Sequence, residues 1–431
     1  MSTTIPYPPA APVCPHTLPD ELEQLVFSPT RSWTRRILPW VLMGPLLPLG
    51  AVLLDGFFVH LPGDAVGVPA PGERLGVIHV HTAAGHGSGT LPQVISAARD
   101  ANLSFLAVTD HNITDNPATL DDPSEFAVIA GNELSTSSGH FLALGVPPNW
   151  PSRPSYDART MLAEAHAAGG VTFLAHPYSK DPWSEWGASD FDGMEIWNED
   201  AVWRRNTVLD LLISAILYPL NNQLAMLRLA RTPEPNLAKW DELLAQRPVA
   251  GICGADAHAA IHMWHGIVWR FPEYLPVFRL ARQHVLLGPH PQGGDPRVAS
   301  ATVILDALKR GHSFCALDAI YPASGFVNEI SSSVVTAGSG DFAPWTPNAH
   351  LRVIVPSGAS LPRIKVYRDG HKIVDKEAWS LDEPLPGPGC YRSEVYLRQP
   401  GLTGWHRWTL WIFSNPIYVT ASSPAVMAAS N

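Results

Sequence analysis

The feature that most constrains this chain is a repeated juncture. A short apolar run ends on a histidine or a carboxylate, and a loop follows. Val77-Ile78-His79-Val80-His81 closes the first such run, with His86 in the loop after it. Val108-Thr109-Asp110-His111-Asn112 closes the second, and Ala130-Gly131-Asn132-Glu133 the third. Gly139-His140 opens the next, while Leu174-Ala175-His176-Pro177 and Gly254-Ala255-Asp256-Ala257-His258 end two more. The apolar runs, at 77–80, 105–109, 126–130, 141–146, 171–175, 193–196 and 249–253, have strand length. Segments 91–101 and 157–168 have helical spacing. Such alternation predicts an α/β fold with a parallel sheet, closed into a barrel. Barrels of this kind gather their chemistry where the loops after the strands converge.

Seven histidines and two acids therefore share one structural position: His79, His81, His86, His111, His140, His176 and His258, with Glu133 and Asp256. The spacing of His79 and His81 puts both side chains on one face of a strand. Each unpaired buried polar group costs about 1–3 kcal/mol, so a core does not collect such a set without a common purpose. Imidazole and carboxylate together suit Zn, Mn, Fe or Ni. A carboxylate able to bridge, Glu133, suits two adjacent ions.

At 431 residues the chain is long enough for two domains. Its net charge of −10, without basic runs, argues against nucleic acid as a partner. Cys14, Cys253, Cys315 and Cys390 form no C-x-x-C pair, which excludes a zinc ribbon and a thioredoxin motif. They read as small buried hydrophobes rather than a disulfide framework. No Gly-rich phosphate loop or Gly-x-Ser-x-Gly elbow occurs, which disfavours a P-loop NTPase and a serine hydrolase.

Residues 1–36 are Pro-rich and predict little fixed structure. Arg31, Arg35 and Arg36 precede eighteen uncharged residues from Ile37 to Leu54. This predicts a transmembrane anchor over 37–60 with a cytoplasmic N-terminus, the rest of the chain lying outside the cytoplasm. A cleaved export signal and a core helix are the alternatives. A Gly/Pro linker follows at 61–73, then the α/β domain at 74–320 with a helical insertion at 203–247. Segments 351–355, 363–368, 392–397 and 405–413 alternate with period two, and Asp369-Gly370 signals a hairpin. They predict an all-β, sandwich-like domain over 321–431.

The order His-x-His, Thr-Asp-His, Gly-x-Glu, His-Pro and Asp-x-His resembles the polymerase-and-histidinol-phosphatase (PHP) family, over about residues 76–320. The resemblance implies a distorted (β/α)7 barrel and two or three divalent metal ions, Zn, Mn or Fe. It implies that His79, His81, Glu133 and Asp256 hold one ion, that Glu133, His140 and His176 hold a second, and that His86, His111 and His258 hold a third. The segment around Glu195 and Asn198, the β-rich tail and residues 304–311 look like the exported branch that includes carbaryl-type carbamate hydrolases.

The activity expected is hydrolysis of a small-molecule substrate by metal-activated water. A phosphoester leads; a carbamate, ester or amide is the alternative, and a non-catalytic metal-stabilised binding protein is a third reading. Asp110 and Glu195 are expected in catalytic or orienting roles. Lys180 and Asn198 are expected to meet substrate.

Overall fold

The computed structural model describes residues 46–62, 69–114, 126–151, 156–262, 268–269, 271–288, 300–333, 335–357, 360–401 and 407–421. Residues Met1–Ala51 and Val52–Asn431 form two units. The sheets, the core and the site belong to the second.

The first helix, α1, spans Leu46–Phe58. At about 1.5 Å per residue its 13 residues reach about 20 Å, short of the roughly 30 Å of a bilayer core. Asp55, in its second half, is fully buried and ion-paired with Arg228. Among the described residues no helix is long and apolar enough to cross a membrane. Over these residues the expected anchor finds no spanning helix, and Asp55, late in α1, is ion-paired inside the protein. Residues 1–45, which include the rest of that anchor, lie outside the described residues, as does 63–68 of the linker.

The barrel begins with β1 (Glu73–Val80), α2 (Leu91–Asp100), β2 (Phe105–Val108), β3 (Ala127–Thr136) and β4 (Gly139–Leu144). It continues through α3 (Ala158–Ala167), β5 (Val171–Leu174) and β6 (Gly193–Asn198). Four helices follow: α4 (Glu199–Trp203), α5 (Val208–Leu217), α6 (Asn222–Leu229) and α7 (Glu234–Leu244). Strand β7 (Ala250–Ala257) then pairs with both β6 and β1, which closes a seven-stranded barrel. All neighbours in it are parallel except β4, which runs antiparallel to β3 and β5. The strand expected at 141–146 was right in place but not in direction. Residues 137–138 make a tight reversal with Gly139 at φ 108°, so β4 turns straight back on β3 without a crossover helix.

Within residues 203–247 the apolar run divides into two helices. Asn221 caps α6 by accepting from Leu224 N, and this breaks the apolar run into α5 and α6.

Beyond the barrel lie β8 (Ile261–His262), β9 (Val268–Trp269), α8 (Tyr274–Leu280), β10 (Arg282–Leu286), α9 (Ala301–Arg310) and β11 (Ser313–Ala316). The all-β part holds β12 (Val327–Ser331), β13 (Thr336–Gly338), β14 (Phe342–Pro344), β15 (His350–Ile354) and β16 (Arg363–Arg368). It ends with β17 (His371–Glu377), β18 (Ser380–Pro384), β19 (Gly389–Arg398), β20 (Trp408–Ser414) and β21 (Ile417–Thr420). Asp369 and Gly370 form the expected two-residue hairpin between β16 and β17, both at positive φ.

This part shares a sheet with the barrel. β1 pairs β10, β10 pairs β11, and β11 pairs β20, all antiparallel. A second sheet runs β13-β12-β15-β18. Ile330, Leu351 and Val353 from it and Ile364, Val366 and Val395 from the larger sheet belong to one apolar core. Cys253 on β7 and Cys315 on β11 form a disulfide, with Cα atoms 5.8 Å apart. The expectation of unpaired cysteines is corrected there, because β10 and β11 fold back beside β7.

Candidate metal centre

Glu133 is the hub. It is fully buried near the end of β3. Its Oε1 lies 2.8 Å from His140 Nδ1 and 2.9 Å from His176 Nε2. Its Oε2 lies 3.1 Å from His79 Nε2, 3.3 Å from His81 Nε2 and 3.0 Å from His111 Nε2. Asp256 Oδ1 approaches the same nitrogens of His79 and His81, at 3.5 and 3.4 Å.

Local backbone detail delivers these side chains. His79 sits at φ 67°, where the register of β1 slips against both β2 and β7. The two histidines of β1 therefore converge through a bulge rather than by plain alternation. His176 and Asp256 also have positive φ, at 28° and 49°. Non-glycine residues there cost about 1 kcal/mol or more each, and such strain gathers at functional sites. His111 joins through a parallel bridge to Glu133.

Among the described residues, ligand atoms within 4.8 Å of one another make four groups. They are His79–His81–Asp256, His79–Glu133–His176, His111–Glu133–His140 and His81–His111–His258. Eight of the nine sequence-predicted ligands are thus brought together. His86 stands apart: it is exposed, with its ring 5.0 Å from that of His111, and joins none of the four groups.

The other expected site residues have different partners. Asp110 accepts from Thr82 N (2.7 Å) and Thr82 Oγ1 (2.5 Å), and so fixes the loop after β1, with its Oδ1 4.0 Å from His81 Nδ1. Glu195 Oε1 faces His79 Nδ1 at 2.7 Å, and its Oε2 accepts from His176 N and Asn198 Nδ2. Both oxygens are committed, which makes Glu195 a positioning residue. A Cβ on Gly254 would stand 1.8 Å from Glu195 Oε1, so only glycine leaves room for that carboxylate. Asn198 caps α4 and donates to Glu195 and Asp256. Lys180 is exposed in the turn after His176.

Three contributors carried no readable sequence signal. The Tyr274 hydroxyl, on α8, is shared between the carbonyls of His81 (2.9 Å) and His258 (3.1 Å). It pins the loops after β1 and β7 together. Ser179 Oγ lies 2.9 Å from His176 Nδ1. Glu199, the first residue of α4, is buried beside the cluster.

The electrostatics are those of a site built around positive charge. Burial would lower the pKa of His79, but Asp256, Glu195 and Glu133 outweigh it and hold it well above the ordinary value. His176 is raised to about 9, burial again being outweighed, chiefly by Glu133. Burial would raise Glu133, yet His79 and the close ring nitrogens of His111, His140 and His176 pull it well below the carboxylate range. His258 goes the other way, down to about 4, through burial and the nearby His81. Its Nδ1 donates to the Asp256 carbonyl at 2.9 Å, which leaves Nε2 as a lone pair. Burial, Asp200 and Asp256 push Glu199 well above the carboxylate range.

The residues fit divalent metal. Nε2 of His79, Nε2 of His81 and Oε2 of Glu133 are buried, and none has an aligned hydrogen bond although they lie 3.1–3.3 Å apart. A divalent cation shared by these three atoms would satisfy them in place of the protons the histidines otherwise hold.

No protein-family model and no curated protein matches this chain. Among solved structures it is similar to a two-domain protein from Bacteroides vulgatus containing a predicted PHP-like metal-dependent phosphoesterase. That match has 14% identity and a TM-score of 0.38, over 81% of this chain and 98% of that one. A putative metal-dependent phosphoesterase from Bifidobacterium adolescentis aligns at 15% identity and TM-score 0.28, over 42% of this chain and 87% of that one. An amidohydrolase from Chromobacterium violaceum with bound sulfate aligns at 15% and 0.30, over 46% and 92%.

Proposed function

We propose that the chain is a metal-dependent hydrolase acting on a phosphoester. The observation that carries this reading is the composition of the ligand groups among the described residues: six histidines against two carboxylates, Glu133 and Asp256, with a third, Glu195, behind His79. Neutral imidazoles return no charge, so two divalent ions held there would leave the centre net positive and suited to an anionic group. His79, His81, Glu133 and Asp256 would hold one ion, and Glu133, His140 and His176 a second. His81, His111 and His258 offer a third position. The chemistry such ions supply is Lewis-acid activation of water and of the substrate oxygen.

The chain's own residues set the geometry. Glu195 fixes the ring of His79, the Asp256 carbonyl fixes the tautomer of His258, and Tyr274 holds two ligand loops at a constant separation. The cleft over Asp256 and His258 opens past Glu199, Asp200 and Arg204. Arg204 is already paired with Asp200, and this favours the second reading, an uncharged ester or carbamate.

Hydrolysis of bis(p-nitrophenyl) phosphate, p-nitrophenyl phosphate and p-nitrophenyl acetate by the metal-loaded full chain separates the two. Metal-dependent phosphate turnover lost in Glu133→Gln is expected. Acyl turnover alone would move the assignment to the second reading, and none at all would end the hydrolase reading. We also infer that the chain works in an oxidising compartment outside the cytoplasm; the Cys253–Cys315 pairing supports this. Finding that bond reduced in freshly isolated protein would count against it.

A further inference from the structure

Next to the metal cluster, β6, α4, the α5–α6 pair, Phe271, Pro272 and Leu280 line a half-open cavity of about 170 Å3 whose walls are almost wholly apolar. Trp197, Leu211, Tyr218 and Met226 supply much of the surface. Glu199, Trp203, Phe271 and Pro272 line both this cavity and the cleft that contains Asp256 and His258, so the two spaces adjoin. Two buried polar atoms in the wall lack a protein partner: Oε2 of Glu199, a residue 7% exposed, and Nε1 of Trp197, a residue 2% exposed. An acceptor and a donor left unpaired in an apolar wall each cost about 1–3 kcal/mol unless something binds them. An engineered apolar cavity of about 150 Å3 holds one benzene ring.

We propose that this cavity is the specificity subsite of the enzyme, and that it takes one aryl ring or short alkyl chain of a phosphoester whose head lies at the histidine cluster. Glu199 and Trp197 then meet a polar atom at the junction of head and apolar group. The helices that wall the cavity, α5 and α6, come from the segment inserted between β6 and β7, so the preference is a property of that insertion. The proposal rests on the phosphoester reading for the head group alone.

Calorimetric titration of the metal-loaded full chain with methyl-, hexyl- and phenylphosphonate tests it. Hexyl- and phenylphosphonate are expected to bind about tenfold tighter than methylphosphonate, or better. Ala230→Leu, which fills the cavity from its buried wall, and Ala215→Trp, at its rim, should each abolish that preference and leave methylphosphonate affinity unchanged. Circular dichroism melts check that both variants fold. As a second measurement, phenol without any phosphonate should bind the wild type in ligand-observed NMR and not Ala230→Leu. Equal affinity for the three phosphonates overturns the subsite while the metal-centre reading stands. Phenol binding without methylphosphonate binding supports the cavity and sinks the phosphoester head. Failure of both phenol and the longer phosphonates to bind overturns the proposal.

Discussion

The imidazole of His284 should act as a pH-dependent lock on the barrel's outer seam. It is fully buried on β10, with Nδ1 2.5 Å from Glu73 Oε1 and Nε2 3.2 Å from Asp318 Oδ1. A ring with a carboxylate at each nitrogen is a doubly protonated ring. Burial would lower its pKa, but Asp318 and Glu73 outweigh that and raise it to about 9, from 6.5. A raised pKa in a basic group means stability that is complete below about pH 6.5 and is lost as pH climbs through about 9. At about 1.4 kcal/mol per pH unit, the group contributes on the order of 3 kcal/mol. The perturbation is His284→Gln, which removes the titration and keeps a polar side chain. Urea unfolding of wild type and variant at about pH 6 and about pH 9.5 isolates the group, since every other titration is common to both. The variant should be less stable by on the order of 3 kcal/mol at the lower pH, and the gap should nearly close at the higher one. A gap that stays constant with pH would refute the reasoning, because the loss would then be packing rather than charge.

Other expectations follow from single contacts. Glu195→Gln should weaken metal binding about 10–100-fold without loss of fold, because His79 Nδ1 loses its carboxylate; chelator competition measures it, and unchanged affinity would contradict the positioning role. Gly254→Ala should reproduce that loss through a different atom, since its Cβ would displace the Glu195 carboxylate. In the double variant the two effects should be far from additive. Reduction of Cys253–Cys315, whose partners are 62 residues apart, should cost about 4 kcal/mol in the loop-entropy picture. Urea midpoints with and without reductant would show it, and Cys253→Ser should be insensitive to the reductant.

How far the site was readable from sequence depends on what each residue needed. His79, His81, Glu133, His140, His176 and Asp256 were legible because strand ends in a closed barrel converge, whatever the side chains. The bulge at His79 was not, since a single residue entering positive φ leaves no mark in the hydrophobic pattern. β4 was placed correctly but its direction was missed; an apolar run says nothing of direction, and only the brevity of the turn before Gly139 hints at it. Asp110 was singled out as the neighbour of His111 and Asn198 through the segment it shares with Glu195; the partners each one takes, Thr82 for Asp110 and Glu195 and Asp256 for Asn198, leave no mark in the sequence. Tyr274 was invisible, as it reaches the site from α8 across the fold; Glu199 follows Asn198 directly, and its burial beside the cluster is set by how α4 leaves β6. For the apolar stretch near the N-terminus, hydropathy does not show that Asp55 is buried in an ion pair with Arg228, and only residues 46–60 of the expected span are described.

The central claim is that the histidines around Glu133 hold catalytic metal. Elemental analysis of the full chain, loaded with Zn, Mn or Fe and then desalted, tests it most directly. The account predicts roughly two or three ions per folded wild-type chain, with the content falling in Glu133→Gln while that variant keeps its circular dichroism spectrum. A folded wild-type chain that retains no stoichiometric metal would contradict it.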